Sequence, residues 1–303
     1  MSTNRLDRYI VSKYPEFSRG QAQKLIEKGK ILVNGKPAKS SQAIREADKV
    51  EVVKAKKMKK VDRPKVDFPV LYEDKECLVI NKPAGISVYP INEADKSKTI
   101  IDYSLQNFKV KFKDPERPGI VHRLDKETSG VLILAKNQEA LDYLMAQFKQ
   151  REVKKVYWAL VYGIMQHPEG IIDSPIQRSH KHRKKMSLAA AGTGREAISQ
   201  YKVLKEYRLD PKHLLSLIEV RIHTGRTHQI RVHMSSIGHP VIGDVTYGNS
   251  SMNRKFIKKY GLRRQFLHAR LVEFKTPVKD KQVSVEAELP DELNNLETKL
   301  QQI

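Results

Sequence analysis

The sequence predicts an α+β protein with a small α+β domain at residues 4–53, a basic linker at 54–66, and a larger domain at 67–303. Many segments after residue 67 read as strands, among them GVLILAKN, KVYWALVYG and LLSLIEVRIHTG, which are rich in β-branched and aromatic residues. Few segments have helical periodicity, and strict alternation of strand and helix is absent. We therefore expect a largely antiparallel mixed sheet in the larger domain rather than a doubly wound parallel one.

The first domain shows local signals in the order helix, helix, hairpin, strand. RLDRYIVSKY has apolar residues at helical spacing, and the next helix opens on Ser18, with Gln21 three positions later as in a capping box. Gly29 is expected to end that helix. In ILVNGKPA, Asn34 and Gly35 are the pair that a type I′ hairpin turn prefers, and DKVEVVK supplies a further strand.

Two helices are predicted in the larger domain. NQEALDYLMAQFKQREV and RTHQIRVHMSSIG carry apolar residues along one side, and Gly238 should stop the second helix. The apolar stripe of the first helix consists of Leu141, Leu144, Met145 and Phe148. The C-terminal DELNNLETKLQQI is expected to be a short polar helix or a frayed end. Cys77, in ECLVI, is expected to pack in a strand.

The charge indicates the kind of partner. Lys and Arg number 57 against 35 acidic residues, a formal net charge of +22, and the usual ligand of such a protein is nucleic acid. An anionic membrane surface is the competing ligand, but no segment has the length of a transmembrane helix and the N-terminus lacks the apolar stretch of a signal peptide. We expect a cytoplasmic, monomeric protein that binds RNA and no membrane.

The linker is the most basic segment. Seven of its thirteen residues are Lys or Arg, which suits either a solvated tether or contact with phosphates. RSHKHRKKMS, at residues 178–187, is also strongly basic, and we expect it to be a loop. Its Arg178, Arg183 and Lys184 are candidates for contact with an RNA backbone, and a solvated surface is the alternative.

In HRLDKETSGVLILAKN the carboxylate of Asp125 stands between cations, and a second acid, Glu127, follows Lys126. Asp125 is close in sequence to His122, Arg123 and Lys126, which favour its ionised form if they also lie close in space. An ionised carboxylate is a nucleophile or a base, and a loop that opens onto a strand is a suitable place for one. Ordinary turn chemistry, with Asp before a Thr-Ser-Gly turn, is the alternative interpretation.

RIHTGRTHQIRVH contains histidines and arginines that each recur every five residues. That spacing turns neighbouring histidines about 140° apart on a helix and to opposite faces of a strand, so we reject a histidine metal site. A guanidinium matches carboxylate and phosphate oxygens. Arg226 is well placed for either, at a Gly-containing turn that enters a helix. His233 falls on the apolar side of that helix and is predicted to be packed and hydrogen-bonded.

Over nearly its whole length, RLDRYI…SRGQAQKLIEKGKILVNGKPAKSSQAIREADKVEV has the element order of the S4 RNA-binding domain, which it resembles. Ala47 stands where that family usually has Gly. The resemblance implies contacts with RNA by four residues of this domain: Arg5, Ser18, Arg19 and Lys24.

The larger domain carries several long motifs in a fixed order. These are INKPAGISVYP, HRLDKETSGVLILAKN, KKVYWALVYG, IHTGRTHQIRVHMSSIGHPVIGDVTYG and RQFLHARLVEF. Over residues 68–275 they resemble the RluA-type pseudouridine synthases, and with an S4 domain ahead of them the chain is most similar to the ribosomal large-subunit synthases of the D and C types. Tyr89, where His is common, and Ser199, where Thr is usual, are minor departures.

The resemblance implies an enzyme that isomerises uridine to pseudouridine without a metal, redox or nucleotide cofactor. The essential acid of the family matches Asp125, which attacks ribose C1′, removes a proton from C2′ or adds to the uracil ring. A buried carboxylate needs a charged partner to stay ionised. The resemblance assigns that role to Arg226, so Arg226 is expected to pair with Asp125.

The resemblance also implies how the substrate is held. The target base has to be flipped out of folded RNA. Arg123 matches the residue that fills the gap, and His122 and Lys155 are expected to contact the RNA beside it. Tyr157 matches the stacking tyrosine, whose hydroxyl is suited to assist proton transfer, and Trp158 should face the other side of the strand. Lys82 is expected to support the RNA or the fold.

Three alternatives stay open. The S4 resemblance and the charge alone suit a non-catalytic RNA-binding or ribosome-assembly factor. The histidines suit, less well, a metal-dependent hydrolase. Within the family, transfer RNA is the alternative substrate to large-subunit (23S) ribosomal RNA, which the S4 domain favours by analogy.

Overall fold

A computed structural model describes residues 4–15, 17, 19–53, 66–90, 95, 97–179, 182, 185–190 and 192–303. Several predictions lie outside these residues: the Ser18 cap, Arg183, Lys184 and most of the basic linker, residues 54–65. The chain divides into two compact units, Met1–Asp62 and Arg63–Ile303. Each unit is described by itself.

Over the residues described in the first unit, the chain forms two short helices and five short strands. They are β1 (Asn4–Arg5), α1 (Leu6–Lys13), α2 (Arg19–Glu27), β2 (Ile31–Val33), β3 (Lys36–Pro37), β4 (Ala43–Ile44) and β5 (Val50–Val52). Strands β3, β2 and β5 form an antiparallel sheet in that order, and β1 pairs with β4. The helices bury their apolar side against β2 and β4 in one small core.

The turn chemistry of this unit is as predicted. Asn34 and Gly35 both have positive φ, 52° and 74°, which is what a type I′ turn requires. Gly29, with φ at 64°, ends α2. Its N–H donates to the Ile26 carbonyl oxygen and that of Lys30 donates to the Leu25 carbonyl oxygen, so the last carbonyls of the helix are satisfied by a Schellman motif.

The second unit is built on a large, mostly antiparallel sheet. Its strands are β6 (Val70–Glu73), β7 (Cys77–Lys82), β8 (Ser129–Ala135), β9 (Lys154–Tyr162), β10 (Glu169–Asp173), β11 (Ile176–Arg178), β12 (Met186–Leu188), β13 (Ile198–Asp210), β14 (His213–Ile222), β15 (Leu267–Lys275), β16 (Gln282–Glu286) and β17 (Gln301–Gln302). The main order is β10-β13-β14-β9-β15-β8-β7-β6, with β16 on β15 and β17 on β13, while β11 pairs with β12 in a separate hairpin. Within the described residues only β8 and β15 pair in parallel, so the predicted mixed, largely antiparallel sheet is confirmed.

Gly130 allows β8 and β15 to pair in parallel at the start of β8, shortly after Asp125 in the chain. It has φ at 115°, and a Cβ at this position would lie 2.1 Å from the carbonyl oxygen of Ala269 on β15. Any larger residue would separate the two strands at the point where β8 begins. Ser129 and Gly130 therefore start the strand, rather than forming the turn that the sequence suggested.

Five helices of the second unit pack on this sheet or at its ends. They are α3 (Ile100–Asn107), α4 (Gln138–Gln150), α5 (Gln229–Ser236), α6 (Ser250–Tyr260) and α7 (Asp291–Glu297). In α4, Leu141 and Leu144 are buried as predicted, but Met145 is 48% exposed. The tail is not frayed, because Leu293 and Leu296 of α7 are buried and β17 adds to the edge of the sheet. Cys77 is buried in β7, which confirms its prediction.

None of the helices described here is both long and apolar enough to cross a membrane.

Candidate active site

A cavity of about 540 Å³ lies in the second unit. The loop before β8 contributes Asp125 to its lining, β9 contributes Tyr157, and the turn before α5 with the start of that helix contributes Arg226, His228 and Arg231. Asp125 and Arg231 are 106 positions apart in the chain. The fold thus brings together the two sequence motifs that carry candidate chemistry.

Arg231 holds Asp125 in place. Nη1 of Arg231 donates a hydrogen bond to Oδ2 of Asp125 at 2.9 Å, and the two side chains are 6% and 17% exposed. On the other side of the guanidinium, Nε and Nη2 donate to the two carboxylate oxygens of fully buried Asp244 at 2.7 and 3.0 Å. Burial alone would lower the pKa of Arg231, but Asp244 and Asp125 raise it. Arg231 is therefore a fixed cation beside Asp125.

The predicted pair of Asp125 with Arg226 is wrong. Nε of Arg226 donates instead to the carbonyl oxygen of Glu196 at 2.9 Å, and Arg231 occupies the position on Asp125. The backbone explains the difference. His228 has a left-handed conformation (φ 58°, ψ 19°) directly before α5, so Arg226 stays in the preceding turn while Arg231 extends from the first turn of the helix.

Tyr157 gives the cavity an aromatic wall. It lies on β9 in the middle of the sheet and lines the cavity. Trp158, the next residue of the strand, points the other way, and the Arg270 guanidinium lies 5.2 Å from its ring. The predicted opposite orientation of the two rings is confirmed. Burial, followed by the Asp125 carboxylate, raises the pKa of Tyr157, so its phenol keeps its proton at neutral pH.

His122 is not one of the cations expected beside Asp125. Its Nε2 accepts the backbone N–H of Ile133 at 2.9 Å, and its ring stacks on that of Phe148 with centroids 4.7 Å apart. Burial, with Lys155 nearby, lowers the pKa of His122 to about 3. The ring is neutral and fixes the loop to β8, so its role in this structure is to support the site.

Lys155 and Arg151 make one side of the cavity cationic. Both line it, and Nζ of Lys155 lies 5.5 Å from the centre of the Phe148 ring. Burial, and then the charge of Arg151, lower the pKa of Lys155 to about 8. The ammonium is still mostly charged at neutral pH, so this side of the cavity suits a phosphate.

Arg123 is exposed at the cavity and contacts an aromatic ring. Its guanidinium lies 5.8 Å from the centre of the Tyr89 ring, and that of Arg117 lies 5.6 Å from the same ring. Tyr89 is one of the two positions at which the larger domain departs from the family that it resembles. Lys126, the remaining cation next to Asp125 in sequence, is exposed as well.

Lys82 supports the loop of Asp125 from behind. Its fully buried Nζ donates to the carbonyl oxygens of Pro83, Ile86 and Lys126 at 2.8, 2.9 and 3.1 Å. Burial lowers the pKa of Lys82 to about 7. Because the three carbonyls belong to two separate loops, Lys82 joins the turn after β7 to the residue that follows Asp125. This geometry agrees with support of the fold rather than contact with RNA.

The basic stretch at residues 178–187 connects the two strands of a hairpin. Arg178 ends β11, where it is exposed, and β12 begins at residue 186. Lys185 is held to the segment after α5, since its Nζ donates to the carbonyl oxygen of Thr246 at 2.9 Å. The hairpin is thus anchored beside the segment that also carries Asp244.

His233 is packed as predicted. It is fully buried, its Nε2–H donates to the Ser174 carbonyl oxygen at 3.0 Å, and its Nδ1 accepts from Ser199 Oγ at 2.9 Å. Across the part of the chain that the structure describes, no three His, Cys, Asp or Glu side chains are arranged to hold a metal ion.

In the first unit, two of the predicted RNA-binding residues contact a buried carboxylate. Nε of Arg5 and Nε of Arg19 lie 3.1 and 3.0 Å from the two oxygens of Asp7, and Gln23 donates to Asp7 at 2.8 Å. Both arginines remain about half exposed. Lys24 is exposed on α2. The three cations therefore differ in how much they support the fold.

The sequence did not identify Asp244 and Tyr247 as residues of the site. It also did not identify Arg231 as the partner of Asp125. One signal was available: Arg231 stands between the apolar residues Ile230 and Val232 of an amphipathic helix. A charged residue on the buried side of a helix requires a buried counter-charge. The sequence contains no local sign that Asp244 would supply it.

Comparison with known proteins agrees with this architecture. Residues 76–236 match the family model described as RNA pseudouridylate synthase, and residues 4–50 match that of the S4 domain. The chain is 39% identical over 294 residues to an uncharacterized RNA pseudouridine synthase of Aquifex aeolicus, with 95% of this chain and 90% of that protein covered. It is 35% identical over 308 residues to the ribosomal large subunit pseudouridine synthase D of Zymomonas mobilis, with 96% and 92% covered.

A solved structure supports the same conclusion. Human RNA pseudouridylate synthase domain containing 1 superposes with a TM-score of 0.61 at 27% identity, over 80% of this chain and 91% of that one. The family model alone spans more than half of the chain, and the similarity to the two relatives extends across both units. The chain therefore belongs to the RNA pseudouridylate synthase family, a family of RNA isomerases, and carries an S4 domain at its N-terminal end.

Proposed function

We propose that this protein converts uridine to pseudouridine in large-subunit ribosomal RNA, with Asp125 as the essential carboxylate. The observation that carries the proposal is the Asp125–Arg231 pair in a cavity that also holds Tyr157. Arg231 places a fixed guanidinium 2.9 Å from this carboxylate, which is 17% exposed, so most of the surrounding water is excluded from the pair.

The reaction requires one bond to break and another to form. The N1–C1′ bond of uridine is cleaved, the uracil rotates, C5 bonds to C1′, the hydrogen on C5 leaves as a proton, and N1 takes up a proton, which restores the ring. An ionised Asp125 serves as nucleophile at C1′, as base at C2′ or as nucleophile at the uracil ring, and all three routes need it unprotonated. Tyr157 keeps its phenolic proton and its ring supplies a surface on which the flipped base stacks.

The cationic groups around the cavity fit a polyanionic substrate. Arg123, Arg151 and Lys155 line the cavity together with Asp125, and the basic hairpin is anchored close to the same segment as Asp244. Cations in this arrangement suit the phosphates on both sides of a flipped nucleotide.

The choice of ribosomal RNA rests on similarity. The Zymomonas mobilis relative and one from Xanthomonas campestris, 34% identical over 311 residues, are both named ribosomal large subunit pseudouridine synthase D. Transfer RNA is the alternative substrate, and an RNA-binding protein without turnover is the alternative activity.

Pseudouridine mapping in cellular RNA tests the proposal. Cells that lack the gene are complemented with the wild type, with Asp125→Asn, or with Asp291→Asn as a control, since Asp291 is an exposed carboxylate on α7. We expect specific large-subunit sites to disappear in the deletion strain and to return with the wild type and Asp291→Asn alone. Restoration by Asp125→Asn contradicts the role of Asp125. Loss of transfer RNA sites instead contradicts the substrate, and no change at any site favours a binding protein.

A further inference from the structure

His228 is a second titratable group at Asp125 that the proposed chemistry does not yet use. It lines the cavity, and its Nε2 lies 3.9 Å from Oδ2 of Asp125. Its side chain is 21% exposed, so one edge of the ring is open to a molecule in the cavity. At 3.9 Å the two groups are too far apart for a hydrogen bond, which leaves Nε2 available to a substrate.

The other ring nitrogen is engaged by Tyr247. Nδ1 of His228 lies 2.9 Å from the Tyr247 hydroxyl oxygen. The same oxygen accepts the backbone N–H of Met186 on β12 at 2.7 Å. A phenol that accepts from an amide directs its own hydrogen to its remaining partner, so the Tyr247 hydroxyl donates to Nδ1. The neutral imidazole then carries its hydrogen on Nε2, toward the cavity.

The rings and the backbone hold His228 in this orientation. The His228 and Tyr247 rings meet edge to face, with centroids 5.6 Å apart and an interplanar angle of 72°. The Arg231 guanidinium lies 5.2 Å from the Tyr247 ring, which fixes that ring in turn. His228 has positive φ, 58°, a left-handed conformation that is uncommon outside Gly and that Asn, Asp and His adopt more often than other residues. This turn places His228 directly before α5, at the cavity that its ring lines.

The charged groups around His228 act in both directions. Burial lowers its pKa, Arg231 and Arg123 act in the same sense, and Asp125 and Asp244 oppose them, with the net result below the ordinary histidine value. The imidazole is therefore neutral at neutral pH, as a defined Nε2–H tautomer requires.

We propose that the Nε2–H of His228 donates a hydrogen bond to a carbonyl oxygen of the flipped uracil, and that Tyr247 positions His228 for this contact. The proposal rests on the proposed function, in which the target uridine lies against Asp125. When N1–C1′ breaks, its electron pair passes to the uracil ring and spreads over O2 and O4. A fixed donor at one of these oxygens stabilises that charge, and no proton leaves His228. The charge disappears again when C5 bonds to C1′.

Single-turnover kinetics test this role. RNA labelled with tritium at uracil C5 releases the label as pseudouridine forms, and binding of the same RNA is measured separately. His228→Asn is compared with His228→Gln: Asn tolerates the positive φ but is too short, whereas the longer Gln amide carries an N–H toward the position of Nε2. Tyr247→Phe removes only the hydroxyl and keeps the ring beside Arg231. His167→Ala, at an exposed histidine outside the cavity, is the control.

We expect His228→Asn to lower the single-turnover rate about 100-fold, as removal of one charge-stabilising donor does in other enzymes. His228→Gln should recover about 10-fold of that loss, and Tyr247→Phe should lose about 10-fold, while RNA affinity stays within about 3-fold of the wild type. The ratio of the wild-type rate to the His228→Asn rate should be level between pH 7 and 8, because His228 is already neutral there and Lys82 and Lys155 titrate in both proteins.

Three results overturn the proposal. The first is a His228→Asn rate within about 3-fold of the wild type. The second is a loss confined to RNA affinity. The third is a ratio of the wild-type rate to the His228→Asn rate that falls steadily from pH 7 to 8, which would require an imidazolium, since Lys82 and Lys155 titrate alike in both proteins. Asp125→Asn, assayed in parallel, separates the two claims: if it is inactive while His228→Asn is not, only the role of His228 fails. Turnover by Asp125→Asn contradicts the proposed function itself.

Discussion

Arg231 joins Asp125 to Asp244 through a single guanidinium. It gives one hydrogen bond to Asp125 at 2.9 Å and a two-point contact to Asp244 at 2.7 and 3.0 Å. The two-point contact fixes the plane of the guanidinium, and Asp244 is itself held by the backbone N–H groups of Thr246 and Tyr247. The guanidinium beside Asp125 is thus held in position by residues outside the cavity.

The first prediction distinguishes the roles of Arg231 and Arg226. Arg231→Lys keeps a positive charge but cannot hold Asp244 at two points and reach Asp125 at the same time. We expect a loss of about 100- to 1,000-fold in single-turnover rate. Arg226→Lys is the matched control, because Arg226 lines the same cavity without contact to Asp125, and its rate should stay within about 5-fold of the wild type. A larger loss of rate in Arg226→Lys than in Arg231→Lys would contradict the observed pairing of Arg231 with Asp125.

The second prediction concerns the stability that Asp244 provides. Asp244→Asn keeps an acceptor for the backbone N–H groups but leaves Arg231 with a buried, partly uncompensated charge. We expect the free energy of unfolding in urea at pH 7 to fall by about 3–5 kcal/mol.

The pH dependence of that loss gives a check. Arg231, Thr246 and Tyr247 lower the pKa of Asp244 although burial alone would raise it. A carboxylate whose pKa is lowered on folding stabilises the protein above its unfolded-state pKa of about 3.9, and this contribution is lost as pH falls through the lower native value. The difference between wild type and Asp244→Asn should therefore shrink in acid below about pH 4. A loss below about 1 kcal/mol at pH 7 would show that the pair contributes little.

Local chemistry explains which features the sequence could predict. The Asn34-Gly35 turn, the end of α2 at Gly29 and the largely antiparallel sheet depend on neighbouring residues or on strand composition, and all were predicted. Asp125 stood out because basic residues flank it on both sides in the sequence. Its partner was not predictable in this way. Arg226 and Arg231 belong to the same five-residue recurrence, so spacing does not distinguish them. Which of the two pairs with Asp125 depends on the left-handed turn at His228 and on distant Asp244.

The charge of His122 is another feature that could not be predicted from the sequence. In sequence it is one of three basic residues around Asp125. In the structure it is covered by Phe148 and accepts a hydrogen bond from Ile133, residues that reach it only through the packing of α4 and β8. Burial decides the charge of a histidine, and burial is a property of the fold.

The third prediction follows from this burial. The pKa of His122 is about 3 in the folded protein and about 6.5 in an unfolded chain. Between these values the unfolded chain binds one more proton than the native protein, so the free energy of unfolding falls as pH falls. We expect His122 to contribute up to about 1.4 kcal/mol of destabilisation per pH unit across this range.

Comparison with His122→Gln isolates the effect, since Gln does not titrate. The free energy of unfolding of the wild type minus that of the variant, measured in urea, should decrease by more than about 1 kcal/mol between pH 7 and pH 5. The remaining titratable groups are common to both proteins and cancel to first order. A constant difference over this range would mean that His122 binds a proton in the native state as readily as in the unfolded chain.

The fourth prediction distinguishes the cations of the S4 domain. Arg19 contacts buried Asp7, whereas Lys24 is exposed. Lys24→Gln and Arg19→Gln should both weaken RNA binding, and each should reduce the slope of log affinity against log salt concentration by about 1. Only Arg19→Gln should also destabilise the first unit. Burial alone would raise the pKa of Asp7, and hydrogen bonds from Arg5, Gln23 and Arg19 hold it well below its ordinary range.

Hydrogen–deuterium exchange of the full chain gives the second readout. Amides of α1 and α2 should exchange faster in Arg19→Gln and at the wild-type rate in Lys24→Gln, because loss of one donor to a buried carboxylate costs about 1–3 kcal/mol. Equal exchange in both variants, with equal loss of RNA affinity, would mean that Arg19 acts only as a phosphate ligand. Faster exchange in Arg19→Gln with unchanged RNA affinity would mean that it acts only as a partner of Asp7.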